Sequence, residues 1–213
     1  MVQSHPKVKM LMDKANEFLG VIGYTEHGNR HGKVVAKTAG NILESLGDDE
    51  RIRELTTIAG YLHDIGNVIN RDHHAQSGAL IAGQILEELE MPFEESIEVI
   101  GAIGNHHEED GTPVSRITAA LILADKADVH RSRVRTTRTL KTDIHDRVNY
   151  AATKSIVKVD SGNGITLEVK VDNRIASVME YFEIFMERML ISKKAANFLG
   201  REFHLDINGN HLL

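Results

Sequence analysis

The chain has 213 residues, 25 Lys and Arg against 31 Asp and Glu, a net charge of −6, 41% hydrophobic residues and no cysteine. That length can bury a real core in one domain with an appendage, and the composition is that of an ordinary globular protein, which excludes a disordered or fibrous chain. Without cysteine there are no disulfides, thiolate metal sites, iron–sulfur clusters or Cys nucleophiles, so any metal or acid–base chemistry must run on imidazole and carboxylate. Twelve histidines are the anomaly in this composition.

In chain order, the opening Met1-Val-Gln-Ser-His-Pro-Lys lacks the apolar core of a signal peptide. The spacing of apolar residues predicts a helix over 8–19, stopped by Gly20, and another over 33–46, ending at Gly47 in a natural C-terminal position. Asp48-Asp49-Glu50 opens the next helix with acids at its positive end, followed by Ile52, Leu55, Ile58, Ala59 and Leu62. Further helices are expected over about 74–89, 94–106 and 115–130, separated by Pro92 and Asp110-Gly-Thr-Pro113. The longest apolar run, 117–124, is too short to span a bilayer, so the chain reads as soluble and cytoplasmic with no membrane partner.

The pattern changes after about residue 153. Residues 155–160, a turn at Ser161-Gly-Asn-Gly164 and residues 165–171, alternating at Ile165, Leu167, Val169 and Val171, predict a β-hairpin. A long amphipathic helix over 175–199 follows, with Val178, Met179, Phe182, Phe185, Met186 and Met189 read as its apolar face. Phe203 onward supplies one more strand and a turn. The fold class is therefore mainly α, a helical domain over 1–153 with an α+β extension over 154–213. The extension either packs on the first part or builds a homodimer interface.

Ionisable residues sit where apolar ones belong. His31 is at i−3, i−4 and i−11 from Val34, Val35 and Ile42, on the buried stripe of its helix. His63-Asp64 follows the small pair Ala59-Gly60 by four residues, Asp125 shares a face with Leu121 and Thr118, and His106-His107 ends the stripe of Ile97, Ile100 and Ile103. A carboxylate on such a face is costly unless it is paired or ligates a metal. Any one of these histidines is more often a satisfied core residue. Together they point to one or two divalent transition ions such as Fe, Mn or Zn rather than Mg or Ca. His27 reads as a pocket or supporting residue, and of the neighbours His73 and His74 only one can point inward at a helix start. His145-Asp146 lies in a polar segment without apolar phasing and reads as coincidence.

The order His31 … His63-Asp64 … His74 … His106-His107 … Asp125 resembles the HD-domain metal-dependent phosphohydrolases. It is most similar to their two-metal branch, which includes the HD-GYP cyclic dinucleotide phosphodiesterases and the symmetrical diadenosine tetraphosphate hydrolases. The likeness covers roughly residues 24–135. It is carried by His63-Asp-Ile-Gly66, His74-Ala-Gln-Ser-Gly78-Ala79, Ala102-Ile-Gly-Asn-His106 and Ala124-Asp125-Lys126 with Arg131 beyond. Two positions depart from it. Asn67 stands where those relatives usually carry a Lys, and Gly111-Thr-Pro113 follows the His pair in place of Gly-Tyr-Pro, which argues against cyclic di-GMP.

The resemblance implies an HD helical bundle in which His31, His63, Asp64 and Asp125 hold one metal and Asp64 bridges to a second held by His74, His106 and His107. Two cations roughly 3.5–4 Å apart would activate a bridging hydroxide for attack on phosphorus and stabilise the charge that develops there. Lys126 and Arg131, with Arg30 or Arg133 beside them, are candidates to hold the phosphate of a small nucleotide-like phosphoester or phosphoanhydride. The alternative is a metal-containing regulatory protein that binds a nucleotide without turnover. The seven Lys and Arg from Lys126 to Arg147 raise a third reading, RNA binding, but they lack interleaved aromatics and the net charge argues against a nucleic-acid partner.

Overall fold

A computed structural model of the protein describes residues 2–160 and 162–213; Ser161, the first residue of the expected turn, and Met1 lie outside them. The helical part consists of α1 (Pro6–Val21), α2 (Asn29–Ser45), α3 (Glu50–Leu62), α4 (His74–Glu88), α5 (Phe93–Gly104), α6 (Arg116–Ala127) and α7 (Ile144–Ala151). It is followed by β1 (Ala152–Val159), β2 (Gly164–Val171), α8 (Val178–Phe198), β3 (Glu202–Ile207) and β4 (Asn210–His211). The chain is thus mainly helical with a small sheet at its C-terminal end.

Helix α6 is the central column. Every residue from Ile117 to Ala127 is buried, and the helix packs against α2, α3, α5 and α8. A helix apolar on all sides has to be enclosed, and Ser115 starts it by accepting the Thr118 amide on its hydroxyl. Asp125 and Lys126 ride on this column, so both charges are forced into the interior, where each needs a partner.

Two glycines set the spacing of the elements around it. A Cβ at Gly60 would lie 2.7 Å from the Ala36 Cα, so only glycine lets α3 approach α2 this closely. Gly66, in the 3-10 turn Ile65–Val68, has no room for a Cβ against the His74 carbonyl oxygen and the Gly78 amide. The first contact brings the end of α3 against the second turn of α2. The second holds the turn after Asp64 against the start of α4.

Several boundaries differ from those read in the sequence. Helix α2 begins at Asn29, four residues earlier than expected, with Gly28 in extended backbone at its N-cap, which places His31 in the first turn. Helix α5 stops at Gly104, so His106 lies beyond it. Helix α6 stops at Ala127 because the Asp128 carboxylate is drawn across to His31 and Arg30 of α2. Residues 144–151, read as a polar segment, form α7. Asp143 caps it through the His145 and Asp146 amides, and Asp146 is buried and accepts from the Thr139 hydroxyl.

In the C-terminal unit β1 and β2 form the expected hairpin, from Ala152 opposite Val171 to Val159 opposite Ile165. Strand β3 runs parallel to β2, with α8 as the crossover that a parallel pair requires, and β4 folds back antiparallel to β3. Helix α8 starts with a capping box between Ser177 and Glu180. Its inward face is Tyr181, Phe185, Met189, Ser192 and Ala196, spaced i, i+4, i+8, i+11 and i+15. Met179, 75% exposed, and Met186 lie on the outer side, which corrects the face expected for them. Helix α8 packs on α6, β1 packs on α2 and α6, and one hydrophobic core runs through both parts. No helix of the described residues is long and apolar enough to cross a membrane.

Forcing a methyl group into the Gly66 contact should cost about 1–3 kcal/mol, the usual range for overpacking. Gly66→Ala is therefore expected to lower the urea midpoint and to weaken metal retention together, because the displaced backbone carries His74. An unchanged midpoint and unchanged metal content in that variant would show that the close approach is dispensable.

Candidate metal centre

His31 in the first turn of α2, His63 and Asp64 between α3 and the 3-10 turn, His74 at the start of α4, His106 just beyond α5 and Asp125 in the last turn of α6 converge at one buried point. His31 Nε2 lies 3.2 Å from His63 Nε2, 3.2 Å from an Asp125 oxygen and 3.5 Å from Asp64 Oδ2. His63 Nε2 lies 3.4 Å from Asp64 Oδ2 and 3.5 Å from Asp125 Oδ1, and His74 Nε2 lies 3.5 Å from Asp64 Oδ1. Two overlapping groups, His31–His63–Asp125 and His63–Asp64–His106, each present ligand atoms within 4.8 Å of one another.

The imidazoles are fixed from behind. His63 Nδ1 donates to the Gly60 carbonyl at 2.9 Å, His74 Nδ1 to Arg71 at 2.9 Å and His106 Nδ1 to Ile103 at 2.6 Å, each three residues back. A carbonyl only accepts, so Nδ1 carries a proton and Nε2 is the atom that faces the centre, a lone pair whenever the imidazole is neutral. His31 Nδ1 donates to Asp128 Oδ2 at 2.7 Å, the carboxylate–imidazole arrangement that orients a metal ligand. Asp64 Oδ1 accepts from the Asn67 side-chain amide at 2.9 Å, whereas buried Asp64 Oδ2 has no hydrogen-bond partner among the described residues. With the imidazoles neutral, acceptors face acceptors across about 3.2–3.5 Å, which is repulsive unless a proton or a metal ion lies between them. Imidazole with carboxylate is a donor set suited to a divalent transition ion, so the residues fit the group they imply.

The electrostatics show the same demand. Burial alone would push the His63 pKa down, but the Asp64 and Asp125 carboxylates outweigh it and raise it to about 10. Burial lowers His74 to about 4 and drives His106 well below its usual value, so both are neutral and free to ligate at pH 7. Burial opposes ionisation of Asp64 and Asp125, but His63 for the first and Lys126 for the second hold both well below the usual carboxylate range. Asp128 is likewise held low against its burial by His31, Arg133 and Arg30.

The other expected residues are placed less uniformly. His107 is at the rim, its ring 4.7 Å from that of His74, and its nitrogens are 3.7 Å from Asp110 and 3.9 Å from Glu108. Lys126 is 3% exposed and clamped between Glu108 at 2.5 Å and Asp125 at 2.6 Å, so its ammonium neutralises the Asp125 carboxylate and does not face open space. Arg131 stacks on Tyr150 at 5.3 Å and is not brought to the centre. Arg30 is held by Glu26 and Asp128. His27 is buried with its ring 5.5 Å from that of His31, while His73 is exposed in left-handed backbone before α4. A cavity of about 740 Å³ opens beside His27, His74 and His107, and Arg71, Arg133 and Arg188 line it.

Sequence reading missed Asp128, Arg71, Glu108 and Arg188, and it noted Asn67 only as a departure from the family's Lys, not as the partner of Asp64. Asp128 left a trace, an acid just past a helix C-terminus where the dipole disfavours it. Arg71 follows Asn67 by one helical turn and its Nη1 lies 3.4 Å from both the Asn67 side-chain oxygen and His74 Nε2. Its guanidinium stacks on Tyr24 at 5.3 Å. Glu108 and Arg188 acquire their positions only through contacts between elements far apart in the chain.

The HD-domain pattern matches residues 30–132, the stretch that holds every residue of the cluster. A protein of Methanocaldococcus jannaschii is 30% identical over 207 aligned positions, covering 83% of this chain and 79% of that protein. The chain belongs to the HD-domain family. That family is a superfamily of metal-dependent phosphohydrolases, and the HD core here places buried His and Asp groups that could hold a metal. Ribonuclease Y of Lawsonia intracellularis is 34% identical over 124 positions, 58% of this chain but 21% of that protein. Ribonuclease Y of Aster yellows witches'-broom phytoplasma is 34% identical over 107, 49% of this chain and 18% of that protein. The chain thus spans about a fifth of those ribonucleases.

Because His63 in the metal-free HD core has a pKa of about 10, it carries a proton at pH 7 that an incoming ion must displace. Calorimetry in buffers of different ionisation enthalpy should show release of about one proton per ion bound at this position at pH 7. Affinity should rise with pH up to about 10, as competition from the proton fades. Binding without proton release would contradict this reading of the cluster.

Proposed function

We propose that the protein is a metal-dependent phosphohydrolase that cleaves a phosphoester or phosphoanhydride of a small nucleotide-like molecule by attack of water on phosphorus. The observation that carries this is the buried cluster of mutually facing acceptors, opening at His74 and His107 onto a cavity large enough for such a ligand.

His31, His63, Asp64 and Asp125 would hold one ion, and Asp64, His74, His106 and His107 a second. Bound there, such ions supply Lewis acidity and an acidified water at neutral pH. The chain's own groups prepare that chemistry. Asn67 occupies Asp64 Oδ1 and leaves Oδ2 free. Asp128 fixes the His31 ring, and Lys126 offsets the charge of Asp125. Arg71, beside His74 at the mouth, presents a cation toward a phosphate where Asn67 cannot, and its stacking on Tyr24 holds it in place.

The likeness to the two ribonucleases favours a second reading, in which the phosphodiester belongs to RNA. Metal-loaded protein should be assayed against p-nitrophenyl phosphate, bis(p-nitrophenyl) phosphate, nucleoside polyphosphates, dinucleotides and short RNA. Hydrolysis of at least one is expected, with no detectable turnover in Asp64→Ala and a loss of about 10- to 100-fold in metal affinity or rate in Asp128→Ala, the usual cost of removing a ligand's orienting partner. Preference for RNA would select the second reading. Stabilisation by a nucleotide with no product from any compound would replace hydrolysis with binding alone.

A further inference from the structure

Two arginines of the cavity are not used by the hydrolytic reading. Arg133 closes the short 3-10 turn Arg131–Arg133, and Arg188 projects from α8, so both lie outside the stretch matched as an HD domain. Both line the cavity beside His74 and His107.

Arg133 is 2% exposed. Its Nε donates to the Glu26 carbonyl at 3.0 Å and its Nη1 to the Asp128 carbonyl at 2.8 Å, but the buried Nη2 has no hydrogen-bond partner among the described residues. The Asp128 carboxylate is 3.9 Å from Nε and already engaged by His31 and Arg30. A buried guanidinium donor without an acceptor is costly, and a fold keeps it where a ligand supplies what is missing.

Arg188 is similarly under-used. Its guanidinium carbon lies 4.7 Å from the centre of the Phe185 ring, which sets its direction, and its Nε is 3.5 Å from Glu108 Oε1, too far for a good hydrogen bond. The other Glu108 oxygen is taken by Lys126 at 2.5 Å. The two guanidiniums feel each other: burial first and then the charge of Arg188 push the Arg133 pKa down, against Asp128. Of the other carboxylates that line the cavity, Asp110 accepts from Gln76 at 2.7 Å and Asp143 from the first amides of α7, while Asp72 and Glu109 stand without such a partner among the described residues. The cavity is thus lined by two guanidiniums whose donors are incompletely used, Arg133 with a buried Nη2 left free and Arg188 with one long ion pair.

We propose that Arg133 and Arg188 form a phosphate subsite distinct from the metal centre, so that the molecule taken by the cavity carries a second phosphate group besides the one that reaches the metals. The description of the second group as part of a substrate rests on the hydrolytic function proposed above; the subsite itself does not. The C-terminal unit then has a role in selection, because α8 supplies half of the subsite. Mononucleotides with a single phosphate fill one end of the cavity, while compounds with two separated phosphate groups fill both.

The probe is inorganic phosphate, titrated by calorimetry into the protein with its metals and again after chelation. Two equivalents are expected with metal and one without. Arg133 also ties Glu26 to Asp128, so the test is placed on Arg188, which holds no backbone. Arg188→Ala should weaken the metal-independent equivalent at least about tenfold, the loss of one charge-assisted hydrogen bond. Metal content and melting temperature should be unchanged, and Arg188→Lys should restore part of the affinity. If the chelated protein takes up no phosphate, or if Arg188→Ala binds it as tightly as the parent chain, the subsite does not exist. Failure of the hydrolytic reading would register separately, as metal-loaded protein without turnover, and leaves this titration to decide on its own.

Discussion

The Nε2 atoms of His31 and His63 and the carboxylates of Asp64 and Asp125 face one another inside the helical body at 3.2–3.5 Å, and the far side of each imidazole is already committed to a protein acceptor. Lone pairs so arranged, away from water, repel and are poorly solvated. The arrangement is stable only with positive charge at its centre, whether a proton on His63 or a metal ion. The surrounding fold keeps that requirement in place: α6 carries Asp125 on a column buried on every side, and Gly60 and Gly66 allow the backbones bearing the histidines to close in.

Around the cluster, charges alternate outward. Asp125 is paired with Lys126, Lys126 with Glu108, and Glu108 approaches Arg188 of the C-terminal unit. On the opposite side Asp128 links His31 to Arg30 and lies near Arg133. Each buried charge has a neighbour of opposite sign, which is what its burial demands. The relay also ties α8 electrostatically to the end of α6, so the C-terminal unit contributes to the cavity wall as well as to the core.

The convergence of these residues was legible in the chain because imidazoles and carboxylates on apolar stripes have few physical explanations. Once α2, α3 and α6 were phased, His31, His63 and Asp125 had to lie inside. The cations were not legible in the same way. Lys126 follows Asp125 and so suggested a phosphate contact, yet on a helix buried all round its ammonium turns to Glu108 and Asp125. Arg131 found Tyr150, while Arg71 and Arg188 reached the cavity through contacts that no local pattern encodes. Helix α7 was missed because it is only two turns long and its three apolar positions, Ile144, Val148 and Ala151, are set among polar residues. The face of α8 was misjudged at Met179 and Met186 because methionine is apolar enough to suggest burial and flexible enough to tolerate exposure.

The central claim is that this cluster is built around metal, and elemental analysis of protein purified without chelator tests it most directly. Two equivalents of a transition metal are expected in the parent chain, with loss concentrated at one site in His31→Ala and at the other in His106→Ala. Protein that is folded, carries no transition metal and takes up none on reconstitution would contradict the account.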